Sequence, residues 1–146
     1  IVSIHCDQRF RPAADFPYRD WPEHRAFYHT LGDEFGTVDF IKQGGVQSLI
    51  KRLDSVQIID SSALPLGIVE EATPQVNRQL LAVGEMVVMF SDGIMDTLTL
   101  AGVKHIVNAL ATLNPQQICD EIINQAKAMG LKDDSSVVVF RLANAV

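Results

Sequence analysis

The 146-residue sequence contains little cysteine, no long apolar run and no excess of basic residues, and each absence excludes a class of protein. Cys6 and Cys119 lie far apart, outside any CxxC or Cys/His spacing, so we expect reduced thiols rather than a disulfide framework or zinc site. No apolar run approaches the roughly 20 residues of a membrane span, and no secretory signal is visible. With 12 basic against 18 acidic residues and a net charge of −6, nucleic acid and anionic membranes are poor partners. These features predict a cytoplasmic protein that binds neither nucleic acid nor membrane.

The composition of the chain indicates an ordered globular domain. Hydrophobic residues make up 47% of the chain and charged residues 21%, which suits one domain with a substantial core. The chain begins with Ile1 rather than Met, so we expect either a processed chain or a fragment of a longer one.

Apolar periodicity and turn residues predict strands, then two helices, then a final strand, which is an α+β pattern. Residues 1–34, rich in proline and aromatic residues, are expected to be irregular apart from a strand over 1–6 and a short helix over 22–31, and 35–146 to form the domain. Strands are expected at 35–41, 46–52, 56–60, 73–80, 86–90 and 135–142, with a loop over 61–67. Apolar stripes predict helices at about 100–113 and from a cap at Asn114 to a stop at Gly130, with Met129 on the buried stripe.

The central stretch, residues 85–96, is an apolar strand followed by Ser91-Asp92-Gly93 and then Asp96. The run of five apolar residues over 86–90 indicates a strand that is buried on both faces. If the chain coils after Gly93, Asp92 and Asp96 share a helical face. Two acids placed together repel unless a cation lies between them, and oxygen ligands suit Mg²⁺, Mn²⁺ or Ca²⁺. Asp-Gly is equally a common turn dipeptide, so a plain turn is the alternative interpretation.

A second acidic pair, Asp133-Asp134, lies on a loop just before the last apolar strand, which we expect to be buried. If this strand and the central strand are antiparallel neighbours, both acidic pairs lie at the same end of the sheet. Three or four carboxylates would then converge, and a pair of hard divalent cations is the natural counter-charge. Such a site lowers the pKa of a bound water and holds a phosphoryl group for in-line attack.

Other polar residues suggest no competing site. No Ser-His-Asp pattern, P-loop or glycine-rich dinucleotide motif is present. His5, His24 and His29 are expected to be surface or core histidines. Lys51 and Arg52 are expected to form a solvated strand end, although they would also suit the steering of a phosphoprotein.

Five blocks of the sequence carry a resemblance to a known family. In chain order they are FGTVD (35–39), FIKQGGVQSLIKR (40–52), LPLGIVE (64–70), MVVMFSDGIMD (86–96) and DDSSVVVFRL (133–142). Together they resemble the metal-dependent serine/threonine phosphatases of the protein phosphatase 2C (PP2C) type. Within that family they are similar to the bacterial branch of stage II sporulation protein E and the stress-regulator phosphatases.

The resemblance implies a four-layer α/β/β/α sandwich and two Mn²⁺ or Mg²⁺ ions that activate a water for attack on phosphoserine or phosphothreonine. Asp92 and Asp133 match metal-ligand positions and would act in catalysis through that water. Asp96 matches the site of a further, weaker metal, and Asp134 adjoins a ligand. The implied substrate is a phosphorylated anti-sigma factor antagonist, and a dimer is compatible with the pattern.

The sequence departs from the family in its first half. No DGMG or DGxG motif is present, and FGTVD runs directly into FIKQGG, where relatives have an extra strand and turn. The resemblance therefore predicts an incomplete sandwich with about half of a two-metal site. Three interpretations remain at this point: a phosphatase or a piece of one, a phosphatase-like module that binds a partner without chemistry, and an unrelated α+β domain whose acidic pairs are turns.

Overall fold

The structure is a computed structural model that describes residues 2–5, 35–42, 45–60, 64, 68 and 75–143. Within these residues the chain forms seven strands and two helices. The strands are β1 (Val2–His5), β2 (Phe35–Lys42), β3 (Ser48–Lys51), β4 (Val56–Ile59), β5 (Gln75–Ala82), β6 (Met86–Phe90) and β7 (Val137–Arg141), and the helices are α1 (Asp92–Ala109) and α2 (Pro115–Ala128). The α+β class is confirmed.

The seven strands form two antiparallel sheets. One has the strand order β1-β2-β5 and the other the order β4-β3-β6-β7. Apolar side chains of both sheets share a core, with Val38 and Leu81 from the first and Ile50, Ile59 and Val87 from the second. Helices α1 and α2 pack on the other face of the four-stranded sheet. The described residues therefore supply three of the four expected layers, in the order α/β/β.

Strand β6 is buried on both faces, as its continuous apolar sequence predicts. Successive side chains of a strand point to opposite faces. Met86, Val88 and Phe90 accordingly pack against the helices, whereas Val87 packs between the sheets. Strand β6 therefore packs against the helices on one face and against the three-stranded sheet on the other.

The start of α2 follows its sequence signals closely. Asn114 accepts a hydrogen bond from the Gln117 backbone N–H at 2.9 Å, and the Gln117 side chain accepts one from the Asn114 N–H at 3.1 Å. This capping box satisfies backbone donors that have no partner within the helix. Ile118, Ile122 and Ala126 are buried as the apolar stripe predicts.

The prediction that Met129 belongs to this stripe was wrong, since its side chain is 65% exposed. Helix α2 ends at Ala128, and Met129 is its C-cap residue. Gly130 adopts a left-handed φ of +87°. The Leu131 N–H donates to the Ala126 carbonyl oxygen at 3.0 Å, and the Gly130 N–H donates to the Lys127 carbonyl oxygen at 3.1 Å. This Schellman-type ending leaves Met129 outside and turns Leu131 onto the core.

Helix α1 differs from its predicted bounds of about 100–113. It begins at Asp92, ends at Ala109 and is interrupted at Thr99, whose φ of 61° and ψ of 162° are not helical. The Thr99 hydroxyl accepts a hydrogen bond from the Gly102 N–H at 3.3 Å and so caps the second half of the helix. Sequence periodicity detected that second half and missed the short first half, which is where the acidic motif lies.

Two further expectations need correction, and two others fall outside the described residues. Strand β7 is not fully buried, since Val138 is 52% exposed and β7 is the last strand of its sheet among the described residues. Lys51 is buried and donates to the Arg52 carbonyl, so this pair is not a solvated strand end. The expected helix at 22–31 and most of the 61–67 loop lie outside the described part. The strand expected over 1–6 is present as β1 (residues 2–5), which pairs with β2.

Candidate metal centre

The two acidic segments lie side by side because strands β6 and β7 pair in antiparallel register, with Phe90 opposite Val137. The pairing continues one step beyond the strands. The Ser91 N–H donates to the Ser136 carbonyl at 3.0 Å, and the Ser136 N–H donates to Ser91 Oγ at 3.0 Å. The expectation that these apolar strands are antiparallel neighbours is confirmed, so both acidic segments emerge at the same end of the sheet.

Gly93 brings the start of α1 into direct contact with the 133–135 loop. A Cβ atom added to Gly93 would lie 2.5 Å from Ser135 Oγ, 2.7 Å from the Asp134 carbonyl oxygen and 3.3 Å from that of Asp133. Real Cβ atoms do not approach other heavy atoms so closely, so any other residue would push the loop away. The glycine is therefore required by this close approach, in addition to any part in the turn that its sequence context suggests.

Asp92 and Asp96 are presented by the first turns of a helix rather than by a loop. Asp92 is the first helical residue after the cap position at Ser91, where a negative charge is favoured by the helix dipole. Asp96 follows four residues later, so the two carboxylates lie on one face of the helix, as expected if the chain coils after Gly93. Both side chains are exposed. Asp92 Oδ1 accepts a hydrogen bond from the Gly93 N–H at 3.1 Å.

Asp133 and Asp134 lie on a loop that is fixed through its backbone. Asp133 Oδ1 accepts from the Asp134 N–H at 2.7 Å, and the Asp133 carbonyl accepts from Ser135 Oγ at 3.1 Å. The Ser91 hydroxyl lies 3.4 Å from the Asp134 carbonyl oxygen. Both acidic side chains are exposed.

A cleft of about 370 Å³ opens beside this contact. Its lining residues come from the first turns of α1, from the end of α2 and from the loop that follows: Gly93, Asp96, Thr97, Met129, Gly130, Lys132 and Asp133. Asp92 and Asp134 are not among them. Sequence reasoning missed Thr97 and Lys132, although Lys132 directly precedes the acidic pair and follows the helix stop at Gly130.

The expected convergence of three or four carboxylates is not seen. Within the part of the chain that the structure describes, no group of three or more His, Cys, Asp or Glu side chains is placed to hold a metal ion. Asp92 and Asp133 each accept a hydrogen bond from the N–H of the next residue through one carboxylate oxygen, and the other oxygen of each has no hydrogen bond from the described residues. Carboxylate oxygens suit Mg²⁺ or Mn²⁺ chemically, yet Mg²⁺ demands near-octahedral coordination. The carboxylate chemistry of the described residues suits such an ion, but these residues alone do not complete its coordination.

A sequence model of the family described as stage II sporulation protein E (SpoIIE) matches residues 25–143. The chain belongs to the SpoIIE family. The match begins upstream of residue 35, the boundary expected for the domain. SpoIIE of Bacillus subtilis (strain 168) is 34% identical over 116 residues, which cover 70% of this chain and 13% of that protein. The chain thus spans a small part of this curated SpoIIE relative.

Solved SpoIIE structures show the same fold. The PP2C phosphatase domain of Bacillus subtilis SpoIIE, solved with a fragment of its regulatory domain, matches with a TM-score of 0.63 and 29% identity over 75% of this chain and 35% of that one. The SpoIIE phosphatase domain from crystals presoaked with Mn matches with a TM-score of 0.58 and 26% identity over 75% of this chain and 52% of that one. The chain therefore has part of the PP2C phosphatase fold, as the sequence motifs predict.

Proposed function

We propose that the chain contributes to the metal-dependent hydrolysis of phosphoserine or phosphothreonine on a protein. The observation that carries this proposal is the contact between the 91–93 segment and the 133–136 loop. It places acidic residues from distant parts of the sequence at one end of one sheet. Membership of the SpoIIE family supports phosphoryl-ester hydrolysis as the chemistry of this end of the sheet.

Asp92 and Asp133 are the proposed metal ligands, Asp96 is the proposed ligand of a further ion, and Asp134 has a supporting position beside Asp133. Bound Mn²⁺ or Mg²⁺ would supply a Lewis acid that lowers the pKa of water and neutralises phosphoryl charge. The chain's own contribution is to fix the carboxylates. The two hydrogen bonds between Ser91 and Ser136, one between backbones and one from the Ser136 N–H to Ser91 Oγ, set the register of the two segments, and Gly93 allows their close approach.

The substrate that we propose is a phosphorylated anti-sigma factor antagonist, by family resemblance. The proposed setting is the cytoplasm, in sporulation or stress signalling, with a dimer as a compatible assembly. In the described part of the chain, neither helix has the length and apolar character needed to cross a membrane.

A second function is favoured by one observation, the lack of three converging ligands among the described residues. A phosphatase-like module that binds a partner without chemistry needs the fold but not a complete metal site. This function predicts weak or no Mn²⁺ binding by calorimetry, whereas two tight sites would reject it.

The test of the proposed phosphatase is Mn²⁺-dependent hydrolysis of p-nitrophenyl phosphate and of a phosphoserine peptide. Asp92→Asn and Asp133→Asn should each lower kcat/KM by more than about 100-fold, because each removes a charged ligand while preserving side-chain size. Asp54→Asn is the matched control, since Asp54 is an exposed acid in the turn between β3 and β4. Equal activity in all three variants would contradict the proposal.

A further inference from the structure

We propose that Lys132 is the phosphate-binding cation of the cleft. The inference rests on the proposed phosphatase function and extends it to substrate recognition. It makes Lys132 a binding residue that holds the phosphoryl group against the acidic end of the sheet.

The backbone directs residues 132 and 133 toward the cleft. The left-handed Gly130 ends α2, and the Leu131 side chain packs on the core. The chain then passes along the cleft, which both Lys132 and Asp133 line. Lys132 is therefore held between an anchored apolar residue and a loop fixed by the hydrogen bonds of Asp133.

Among the basic residues of the described chain, Lys132 alone both lines the cleft and makes no hydrogen bond or ion pair with the described residues. Five of these residues hydrogen-bond to backbone or side-chain acceptors: Lys42, Lys51, Arg52, Arg78 and Arg141. Lys104, Lys127 and Lys132 make no hydrogen bond or ion pair with the described residues. Of these three, only Lys132 lines the cleft. Its three N–H donors are thus available to a ligand.

The charges in the cleft explain why a cation is needed. Asp96 and Asp133 line the same space, and a phosphate dianion is repelled by the part of their negative charge that a bound metal ion does not neutralise. A lysine ammonium is a compact point charge that binds phosphate through rotatable donors. Met129, 65% exposed on the lining, adds an apolar surface for the residue next to the phosphorylated one.

Binding of inorganic phosphate, followed by ³¹P NMR in the presence of Mg²⁺, tests the inference without requiring turnover. Lys132→Gln should weaken phosphate binding by about 10- to 100-fold, the usual effect of losing a hydrogen bond from a charged group. Lys132→Arg should recover most of the affinity because the positive charge and donors remain. Lys127→Gln is the matched control, an exposed lysine in the last turn of α2, and should bind phosphate like the parent chain.

The outcomes separate this inference from the proposed function. If no hydrolysis occurs but Lys132→Gln alone loses phosphate binding, the inference holds and the phosphatase proposal fails. If hydrolysis occurs and Lys132→Gln matches Lys127→Gln in phosphate affinity and in KM for a phosphopeptide, the inference is overturned. Absence of phosphate binding by the parent chain also overturns it.

Discussion

Replacing Gly93 with alanine tests the contact on which the candidate site depends. The new Cβ would meet Ser135 Oγ at 2.5 Å and the Asp134 carbonyl oxygen at 2.7 Å. The serine side chain can rotate away, but the carbonyl belongs to the backbone, so the loop itself must shift. Forcing extra atoms into a packed site costs about 1–3 kcal/mol. Alanine in a helix recovers about 1 kcal/mol relative to glycine, which leaves a net loss of about 0–2 kcal/mol where Gly102→Ala should instead gain stability.

Gly102→Ala is the matched control within the same helix. Its nearest neighbours, Leu98 Cβ and Thr99 Oγ1, are both 3.7 Å from the added atom, an ordinary contact distance. This variant should therefore gain about 0.5–1 kcal/mol of stability. Urea denaturation followed by circular dichroism gives both values. If Gly93→Ala is stabilised as much as Gly102→Ala, the close approach of α1 to the 133–135 loop does not exist.

Three stability predictions concern other parts of the fold, each read from urea denaturation. Asn114→Ala should cost about 1 kcal/mol by removing the α2 cap, and equal loss in exposed Asn108→Ala would refute this. Arg52→Met should lower the free energy of unfolding by about 2 kcal/mol, because Arg52 Nη1 lies 2.6 Å from Oε2 of the buried Glu85. Adding Glu85→Gln to this variant should make the loss smaller, and an unchanged loss would argue against the ion pair. Thr99→Gly should gain a net of about 0.5–1 kcal/mol, because relief of the left-handed φ, about 1–3 kcal/mol, exceeds the cost of losing the hydroxyl cap and of glycine's extra flexibility; destabilisation would contradict that strain.

The parts of the fold that sequence reasoning predicted well depend on local chemistry. Strand β6 is an uninterrupted apolar run, and the start of α2 carries its cap, proline and glutamine within four residues. Such signals need no knowledge of the tertiary structure. The antiparallel pairing of β6 with β7 was a conditional inference that the structure confirms.

The errors arose where tertiary contacts decide the outcome. No local pattern reveals that Thr99 interrupts α1, because a threonine with positive φ is stabilised by its surroundings rather than by propensity. The internal role of Arg52 depends on β5 and on Glu85, which are distant in sequence: Arg52 Nη1 donates to the Leu80 carbonyl at 2.5 Å as well as to Glu85. The adjacent Lys51 and Arg52, considered without the rest of the fold, suggest a solvated strand end, because charged side chains are more often exposed.

The candidate site was predictable in its location but not in its detail. Two acidic pairs at the ends of apolar strands locate it, and family motifs name Asp92, Asp96, Asp133 and Asp134. Neither source indicates that Asp92 and Asp133 each accept a hydrogen bond from the following N–H. The assignment of these four residues to metal binding remains a prediction.

An anomalous difference map from crystals soaked in Mn²⁺ tests most directly whether Asp92 and Asp133 share a cation. We expect a peak within about 2.0–2.6 Å of a carboxylate oxygen of each residue, the range of oxygen ligands to hard divalent ions. A map in which Mn²⁺ binds elsewhere, with both carboxylates still bonded only to their neighbouring N–H groups, would contradict the proposed metal centre.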